Sequence, residues 1–480
     1  MDRRTFLRRG AQLGAAAAAA PLLPSTPAQA EAEQAFLRRE RSVLEVAPGD
    51  SGIDNIVIVM MENRSFDAYL GWLARDLRYL ASGWYRHGWF FHVNGNQFQS
   101  YVDPAGVTHK TRRFTKNAAG IDPFRGCGHP DPGHGWNSGR AQRDGGFVAE
   151  GSGNDDFALS YYTGDDLPLY RALAYRFTVC DQWHASVLGP TFPNREYLLS
   201  GQSGGNKTNA FPPTAEGFPW PTIVDRLAAA GVTVADYASD LPPIALFGSR
   251  MGPYIRTIDA FYEDCENDSL PQVSFVDPAF AGGNRTDDHP HGDFRAAQRF
   301  VRDVFAAYAR SIHWKRGLFI LLYDEWGGFF DHVPPAHFAD ERASDDDQED
   351  FSQAGFRVPT ILASPRSRIG YAAHGKYDHT SVLRFLEWRF LGAPPFGAGK
   401  DTDTWFLTQR DRYARNIGRV LLADTSTPWP AFDLDLPIPE PTPPCEGDGA
   451  AAGLEATTDS VHSFATPEAL EYFASVGVNV

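Results

Sequence analysis

Cysteine is scarce in this chain of 480 residues. The four cysteines are Cys127, Cys180, Cys265 and Cys445, and no two of them are spaced as CxxC. Because that spacing is typical of thiolate zinc sites, its absence argues against such a site. Four cysteines permit three pairings in an oxidising compartment, and the sequence does not choose among them.

Basic residues are also in deficit. Lys and Arg number 44 against 60 Asp and Glu, which gives a formal net charge of −16. General nucleic-acid binding depends on cationic side chains that displace counterions from phosphates, so this balance argues against it. A single cationic pocket or a bound metal remains compatible with an acidic chain. No stretch after the N-terminal region is apolar for long enough to span a bilayer.

The overall composition is that of a globular protein. Hydrophobic residues make up 42% of the chain and charged residues 22%, which excludes a largely disordered polypeptide. The length fits one large domain with insertions or two to three smaller ones. We predict a main domain over residues 31–427, followed by a proline-rich segment over 428–480 that packs on it.

The first 30 residues have the pattern of a targeting segment. Arg3 and Arg4 precede an alanine-rich apolar stretch over residues 11–23, and Ala28-Gln29-Ala30 has the small residues of a cleavage site. The alternative is an ordinary N-terminal helix. We predict a twin-arginine signal peptide over 1–30, hence the twin-arginine translocation machinery as a partner. The mature protein would be periplasmic, bound to the cell envelope or extracellular.

Apolar, β-branched runs alternate with helical patterns along the main domain. Runs at 53–61, 318–323 and 358–363 fit strands buried on both faces, as in a parallel sheet. Residues 221–231 and 232–237 form a further helix–strand pattern, and a helix is predicted over 380–391. Aromatic residues around Asn94-Gly95, within 83–102, suggest a hairpin insertion. The sequence therefore predicts an α/β fold with a central, mostly parallel sheet flanked by helices.

Two of the predicted strands end in oxygen-bearing side chains. Glu62-Asn63 follows the first strand and Asp324-Glu325 follows the strand over 318–323. In open α/β sheets, ligands collect beyond the carboxyl ends of the strands. If these two strands are neighbours, three carboxylates converge, and a hard divalent cation would relieve their repulsion. Helix capping or pairing with arginine is the alternative role for each cluster.

A third cluster opens a predicted helix. Gly189-Pro190-Thr191-Phe192-Pro193-Asn194-Arg195 has the glycine and prolines of a tight turn into a helix. Free backbone N–H groups and the helix dipole at such a start favour an anion. The Thr191 hydroxyl could there act as a nucleophile towards phosphorus, while a plain helix cap is the alternative.

Several histidines lie in polar loops beside carboxylates. They are His134, His289, His332 and His379, with His291 near His289. Loop histidines in this setting can donate to phosphate oxygens or protonate a leaving group. Taken singly, such a histidine is more often a surface or hydrogen-bonded residue, and the prediction rests on several of them together.

These motifs together resemble the bacterial phosphoesterase family, which contains secreted phospholipases C and a group of acid phosphatases. The resemblance covers residues 53–391 and rests on several separated motifs in the same order. The motifs occupy residues 62–67, 189–195, 323–332 and 377–381. Threonine at position 191 is more similar to the phospholipase group, since the acid phosphatases have serine there.

The resemblance implies an alkaline-phosphatase-like fold and a metal-centred phosphoryl-transfer site in the main domain. Metal ligands would be Glu62, Asn63, Thr191, Asp324 and Glu325, around a divalent ion such as Ca²⁺, Mg²⁺, Mn²⁺ or Zn²⁺. Thr191 would be the nucleophile, with His134, His289 and His379 in catalytic positions and Asn194 and His332 beside the phosphate.

The function that the resemblance implies is phospholipase C-type hydrolysis of glycerophospholipids, with transient contact to a membrane surface. A phosphomonoesterase on the same scaffold is one alternative. An exported phospholipid-binding protein without activity is another.

Overall fold

The computed structural model describes residues 40–102, 106–116, 123–281, 285–400, 404–424, 435–443 and 467–478, together with the single positions 31, 35 and 120. The predicted signal peptide over 1–30 lies outside the described residues. Among those described, no helix combines the length and the apolar character needed to cross a membrane.

An eight-stranded sheet forms the centre of the protein. Its strands, in chain order, are β1 (Asn55–Met61), β2 (Thr178–Cys180), β3 (Val234–Ala238), β4 (Ile255–Thr257), β5 (Val273–Asp277), β6 (Gly317–Tyr323), β7 (Ile361–Ala363) and β8 (Tyr371–Ala373). They lie side by side in the order β8-β2-β7-β6-β1-β5-β3-β4. All neighbours run parallel except β7, which is antiparallel to both β6 and β2. The predicted α/β fold with a mostly parallel sheet is confirmed.

Helices and short helical turns flank the sheet. The α-helices of the described chain are α1 (Phe66–Leu70), α2 (Leu77–His87), α3 (Trp136–Gly145), α4 (Pro168–Arg176), α5 (Thr191–Ser200), α6 (Ile223–Ala229), α7 (Ile258–Glu266), α8 (Phe294–Arg310), α9 (Thr380–Leu386), α10 (Gln409–Tyr413) and α11 (Pro467–Ser475). Turns of 3₁₀-helix occupy Val43–Glu45, Pro48–Asp50, Gly71–Arg75, Asp156–Leu159, Pro243–Phe247, Ser249–Tyr254, Ile312–Arg316 and Ile417–Val420, and a π-helical turn, Glu387–Leu391, extends α9.

The two central strands are the most apolar. Every residue of β1 and β6 is buried, because helices cover both faces of the sheet. The long helix α8 shows how the flanking layers are held. It buries an apolar face that includes Val301 and Phe305, and Phe305 packs edge-to-face on Phe319 of β6.

A hairpin insertion is present, but not where the sequence analysis placed it. The paired strands are Ser100–Val102 and Thr108–Lys110, whereas Gly83 lies inside α2 and Asn94-Gly95 is not the turn. Gly95 instead passes close to the backbone of Gly71, where a Cβ would approach the Gly71 carbonyl oxygen to 2.7 Å. A second pair of short strands, Arg112–Arg113 and Ser160–Tyr161, runs parallel.

The described parts of the C-terminal segment pack on the main domain. Ile438 is buried, and its carbonyl accepts a hydrogen bond from Arg299 of α8 at 2.7 Å. In α11, Phe473 is buried and the Tyr472 hydroxyl donates to the Ala245 carbonyl at 2.9 Å. Of the cysteines, Cys127 is disulfide-bonded, and Cys180 and Cys265 are buried free thiols.

A buried arginine joins several loops at the carboxyl end of the sheet. Arg357 binds Asp331 through two hydrogen bonds of 2.8 and 3.0 Å and reaches Asp67 at 3.1 Å. It also donates to the carbonyl of Asp181 at 2.7 Å. These side chains are almost fully buried, so their charges depend on one another for compensation.

Replacing Arg357 by glutamine should therefore destabilise the protein strongly. Removing one partner of a buried ion pair typically costs about 3–5 kcal/mol, because the other charge is left uncompensated. Arg171→Gln is the matched control, because Arg171 pairs with Asp165 at the surface and such pairs contribute about 0–1 kcal/mol. Denaturant unfolding of both variants measures the difference. Equal losses in the two variants would contradict the role of Arg357.

Candidate active site

The two turns with oxygen ligands lie side by side. Strands β1 and β6 pair in parallel with Met61 opposite Tyr323, so Glu62-Asn63 and Asp324-Glu325 leave the sheet together. The Asn63 N–H donates to Asp324 Oδ1 at 3.1 Å. The predicted convergence of these turns is thereby confirmed.

Asn63 has a left-handed backbone conformation, and the loop that follows β6 packs closely on it. Its φ is +64°, and Gly327 packs so closely on it that a Cβ there would approach the Asn63 carbonyl oxygen to 2.1 Å. The Asn63 side chain is fully buried, yet neither its Oδ1 nor its Nδ2 forms a hydrogen bond with the described residues. A buried amide oxygen in this state fits a metal ligand.

Carboxylates crowd this edge of the sheet. Burial and the nearby Asp324 carboxylate raise the pKa of Glu62 well above its usual range. Burial also raises the pKa of Asp324, although Arg195 acts in the opposite direction. Asp324 Oδ2 accepts no hydrogen bond from the residues that the structure describes. Two buried carboxylates beside an unsatisfied amide form a donor set that suits a hard divalent cation.

Arg195 of α5 is the cation that the structure places among these carboxylates. Its guanidinium lies 3.5 Å from Glu62 Oε1, 3.6 Å from Asp324 Oδ2 and 3.1 Å from Asp277 Oδ1. Arg195 belongs to the motif over 189–195, but no role is predicted for it from the sequence. Its signal was the spacing of four residues from Thr191, which places both side chains on one face of the helix.

Thr191 is the first residue of α5, one turn before Arg195. It is buried, and its hydroxyl forms no hydrogen bond within the described chain. Pro193 has no N–H, and the Phe192 N–H donates to Asn209 Oδ1 at 2.9 Å. Among the first three helix positions, the Thr191 N–H is therefore the one left to meet an anion.

Asn194 shapes the turn that precedes Thr191. Its Oδ1 accepts from the Val187 N–H at 3.0 Å, and its Nδ2 donates to the carbonyls of Gly189 and Pro190 at 2.8 and 3.0 Å. The structure differs here from the prediction that Asn194 contacts phosphate. Its amide is fully used in holding the loop, so it positions Thr191.

Two of the predicted histidines meet beside Glu325. The rings of His134 and His289 are 5.9 Å apart, and His134 Nδ1 lies 2.9 Å from Glu325 Oε1. Asp131, which the sequence analysis did not assign, lies 3.4 Å from His289 Nε2 and 3.9 Å from His134 Nε2. The ligand atoms of Asp131, His134 and His289 are close enough to hold a metal themselves.

The ionisation of this group is set by its neighbours. Burial opposes the charged form of His134, but the Glu325 and Asp131 carboxylates raise its pKa well above the usual value. Burial raises the pKa of Glu325 to about 7, while His134 acts to lower it. Glu325 is thus shared between the predicted metal position and His134.

The turn that carries His289 is tied to the end of β1. The Glu62 N–H donates to the Asp287 carbonyl at 2.8 Å. Asp288, with a φ of +80°, accepts hydrogen bonds from the hydroxyls of Tyr69 and Tyr323 at 2.7 and 2.5 Å. The bonds of Asp287 and Asp288 hold this turn beside the end of β1, which explains how His289, distant in sequence, reaches the site.

His379, for which a catalytic position is predicted, has both ring nitrogens bonded to protein groups. Its Nε2 donates to the Asp324 carbonyl at 2.7 Å, and its Nδ1 accepts from the Trp183 indole at 3.3 Å. Burial lowers the pKa of His379 to about 4, so the ring is neutral. With both nitrogens engaged, His379 positions the Asp324 turn instead of contacting phosphate.

His332 also lies in a different cluster. Its Nδ1 pairs with Asp67 Oδ2 at 2.5 Å and its Nε2 with Asn94 Oδ1 at 3.0 Å. Arg357 binds the same carboxylate and also Asp331, so both ring nitrogens of His332 are engaged within a charged cluster. Phosphate binding by His332 stays a prediction.

The chain is similar to one protein family and to several known proteins. A family model described as the phosphoesterase family matches residues 53–391. Non-specific phospholipase C5 of Arabidopsis thaliana is 31% identical over 404 residues, which cover 77% of this chain and 74% of the relative. Non-hemolytic phospholipase C of Pseudomonas aeruginosa is 30% identical over 507 residues, covering 92% and 68%. Phospholipase C B of Mycobacterium tuberculosis is 28% identical, covering 75% and 78%.

Solved structures are more distant. A protein of the alkaline phosphatase superfamily from Vibrio parahaemolyticus is 12% identical, with a TM-score of 0.31. The match covers 66% of this chain and 72% of that protein. The PsFucS1 sulfatase from Pseudoalteromonas sp. is 10% identical, covers 83% and 80%, and has a TM-score of 0.34. Since both scores lie below 0.5, the fold rests on the strand order and pairing described above.

The donor set predicts which substitution removes a bound metal. Asp324→Asn should lower the bound divalent ion per chain by about tenfold or more, because it removes a negatively charged oxygen ligand. Elemental analysis after dialysis against a limiting metal concentration measures this. Asp346→Asn, at an exposed position in the acidic loop over 345–350, is the matched control and should keep the wild-type content. Equal content in both variants would exclude Asp324 as a ligand.

Proposed function

Because this chain belongs to the phosphoesterase family and is a phosphoric ester hydrolase, we propose that it is an exported phospholipase C. Its substrates would be glycerophospholipids, cleaved to diacylglycerol and a phosphorylated headgroup. One observation carries the proposal most directly. Thr191 begins α5 one turn before Arg195, whose guanidinium contacts both Glu62 and Asp324.

Thr191 is the proposed nucleophile. Its Oγ attacks phosphorus in line and gives its proton to solvent, forming a bond from phosphorus to Thr191 Oγ as the bond to the glycerol oxygen breaks. The leaving oxygen takes a proton from His134 or His289, which lie together beside Glu325. Water then attacks the phosphothreonine, releases the phosphorylated headgroup and restores the Thr191 hydroxyl.

In this proposal, the start of α5 and the two strand-end turns supply the groups that meet the charge on the phosphate. The Thr191 N–H, at the start of α5, donates to a non-bridging oxygen. Glu62, Asn63, Asp324, Glu325 and Thr191 would hold a divalent cation, with Ca²⁺, Mg²⁺, Mn²⁺ and Zn²⁺ as candidates. When bound, such a cation neutralises phosphate charge and favours the ionised threonine hydroxyl. Asn194 and His379 keep Thr191 and Asp324 in position.

Export is supported by the sequence and by the cysteine chemistry. The twin-arginine pattern and the small residues at 28–30 predict removal of the first 30 residues. A disulfide at Cys127 suits an oxidising compartment. Relatives named phospholipase C include bacterial proteins of Pseudomonas aeruginosa and Mycobacterium tuberculosis. The N-terminal sequence of the secreted protein tests this step, since it should begin at Glu31.

The nucleophile is tested by replacing Thr191 with valine, which keeps its shape and removes the hydroxyl. Hydrolysis of phosphatidylcholine by metal-loaded protein should fall by about a thousandfold or more, as is usual when a nucleophile is lost. Thr191→Ser should retain part of the activity. Thr208→Val, at an exposed position, is the matched control. Wild-type turnover by the valine variant would exclude Thr191 as nucleophile.

The same assay separates the rival functions. A phosphomonoesterase would release inorganic phosphate from a soluble monoester faster than it cleaves phosphatidylcholine. A binding protein without activity would retain phospholipid and release no diacylglycerol. Diacylglycerol as the main product, with little turnover of the monoester, is the result that the proposal predicts.

A further inference from the structure

Exposed apolar side chains are concentrated in one short part of the chain. Ten large hydrophobic side chains are exposed among the described residues, and six of them fall within 77–107: Leu77, Tyr85, Trp89, Phe98, Val102 and Val107. The others, Ile312, Phe396, Tyr413 and Leu470, are scattered. A local concentration of this kind marks a surface for interaction.

Two of these side chains, Leu77 and Tyr85, form an apolar stripe on α2, and a third, Trp89, lies just past the end of the helix. Leu77, Ala81 and Tyr85 are spaced four residues apart on the helix, and Trp89 follows four residues later, just past its end at Gly88. Leu77 is 63% exposed, Tyr85 81% and Trp89 73%.

The opposite face of α2 is fixed to the domain. Tyr79 packs edge-to-face on Tyr175, and His87 Nε2 hydrogen-bonds the Ile369 carbonyl at 2.9 Å. The helix therefore cannot turn to hide its apolar stripe.

Positive charge accompanies the stripe. Residues 75–116 contain seven basic residues, Arg75, Arg78, Arg86, Lys110, Arg112, Arg113 and Lys116, against the acidic Asp76 and Asp103. This gives 7 − 2 = +5 in a chain whose net charge is −16. Arg112 and Arg113 pair with Asp156 and Asp166. Arg78 and Arg86, next to Leu77 and Tyr85 in the helix, form no ion pair with the described residues, although the Arg78 guanidinium lies 5.6 Å from the centroid of the Tyr175 ring.

The segment that follows Trp89 is anchored to α1. The Asn96 N–H donates to Asp67 Oδ1 at 2.8 Å, and Gln97 donates to the Asp67 carbonyl at 2.8 Å. Asp67 lies in α1, four residues beyond Asn63. The segment that carries Trp89 is thus tied by these hydrogen bonds to α1, the helix that follows the Asn63 turn.

From these observations we propose that Leu77, Arg78, Tyr85, Arg86 and Trp89 form a docking face for the surface of an anionic phospholipid bilayer. Apolar side chains enter the boundary between headgroups and acyl chains, while the arginines are attracted to anionic lipid. The inference rests on the proposed function, because a lipid substrate is what requires contact with a bilayer. It explains how an acidic protein approaches an anionic surface.

The apolar part is tested with the double variant Tyr85→Ser/Trp89→Ser. Its cosedimentation with vesicles of phosphatidylcholine and phosphatidylglycerol should weaken by about tenfold or more. Ile312→Ser/Tyr413→Ser is the matched control, because those side chains are 56% and 57% exposed elsewhere on the surface. Equal binding by both variants and the wild type would overturn the proposal. So would a wild-type dimer that the first variant dissociates without weakening vesicle binding.

The charged part is tested with Arg78→Gln/Arg86→Gln. Binding to the anionic vesicles should fall by about tenfold, and added salt should remove most of this difference. Arg171→Gln/Arg310→Gln, at exposed ion-paired positions, should bind as the wild type does. Equal loss in both charge variants would contradict a local docking face.

Turnover of a short-chain phosphatidylcholine below its micellar concentration separates this inference from the proposed function. If the inference holds, the ratio of vesicle to monomer turnover falls in both docking-face variants. Binding that depends on the face, without hydrolysis of either lipid, would contradict the proposed function and support the docking face. Lipid hydrolysis with an unchanged ratio and unchanged binding would support the function and overturn the docking face.

Discussion

The parallel register of β1 against β6 is the constraint on which the site depends. Met61 stands opposite Tyr323, so Glu62-Asn63 and Asp324-Glu325 leave the sheet at the same level. The Asn63 N–H bond to Asp324 then locks the two turns together. Since side chains alternate along a strand, a shift of one residue would reverse which of them face each other.

This register brings several carboxylates together, and neighbouring basic side chains compensate their charge. Arg195 lies against Glu62, Asp324 and Asp277, while His134 pairs with Glu325. Burial without such partners would neutralise the carboxylates or destabilise the fold. Arg195 belongs to the helix that begins with Thr191. The same helix therefore compensates the carboxylates through Arg195 and begins with the proposed nucleophile.

Local patterns predicted the elements better than the contacts between them. The runs at 53–61 and 318–323 are recognisable because strands buried on both faces must be continuously apolar. The reversed direction of β7 left no such trace, since a short buried strand has the same composition in either orientation. Asn94-Gly95 was misread as a hairpin turn. Gly95 is needed where the chain passes Gly71, and the Asn94 side chain bonds His332.

The same limit applies to the roles of the site residues. Thr191, Asp324 and the loop histidines could be named because their chemistry is visible in the sequence. Whether a histidine faces a substrate or a carbonyl depends on tertiary contacts, which explains why His379 and His332 have other partners than predicted. Asp131 was overlooked because its role appears only when the loop of His289 folds against it.

The central claim is that one divalent cation joins the two strand-end turns to the start of α5. A crystal structure of the protein grown with Mn²⁺, with anomalous scattering to locate the ion, tests it most directly. We expect the ion within about 2.0–2.5 Å of oxygens from Glu62, Asn63, Asp324 and Thr191. An ion held by Asp131, His134 and His289 alone, away from Thr191, would contradict it.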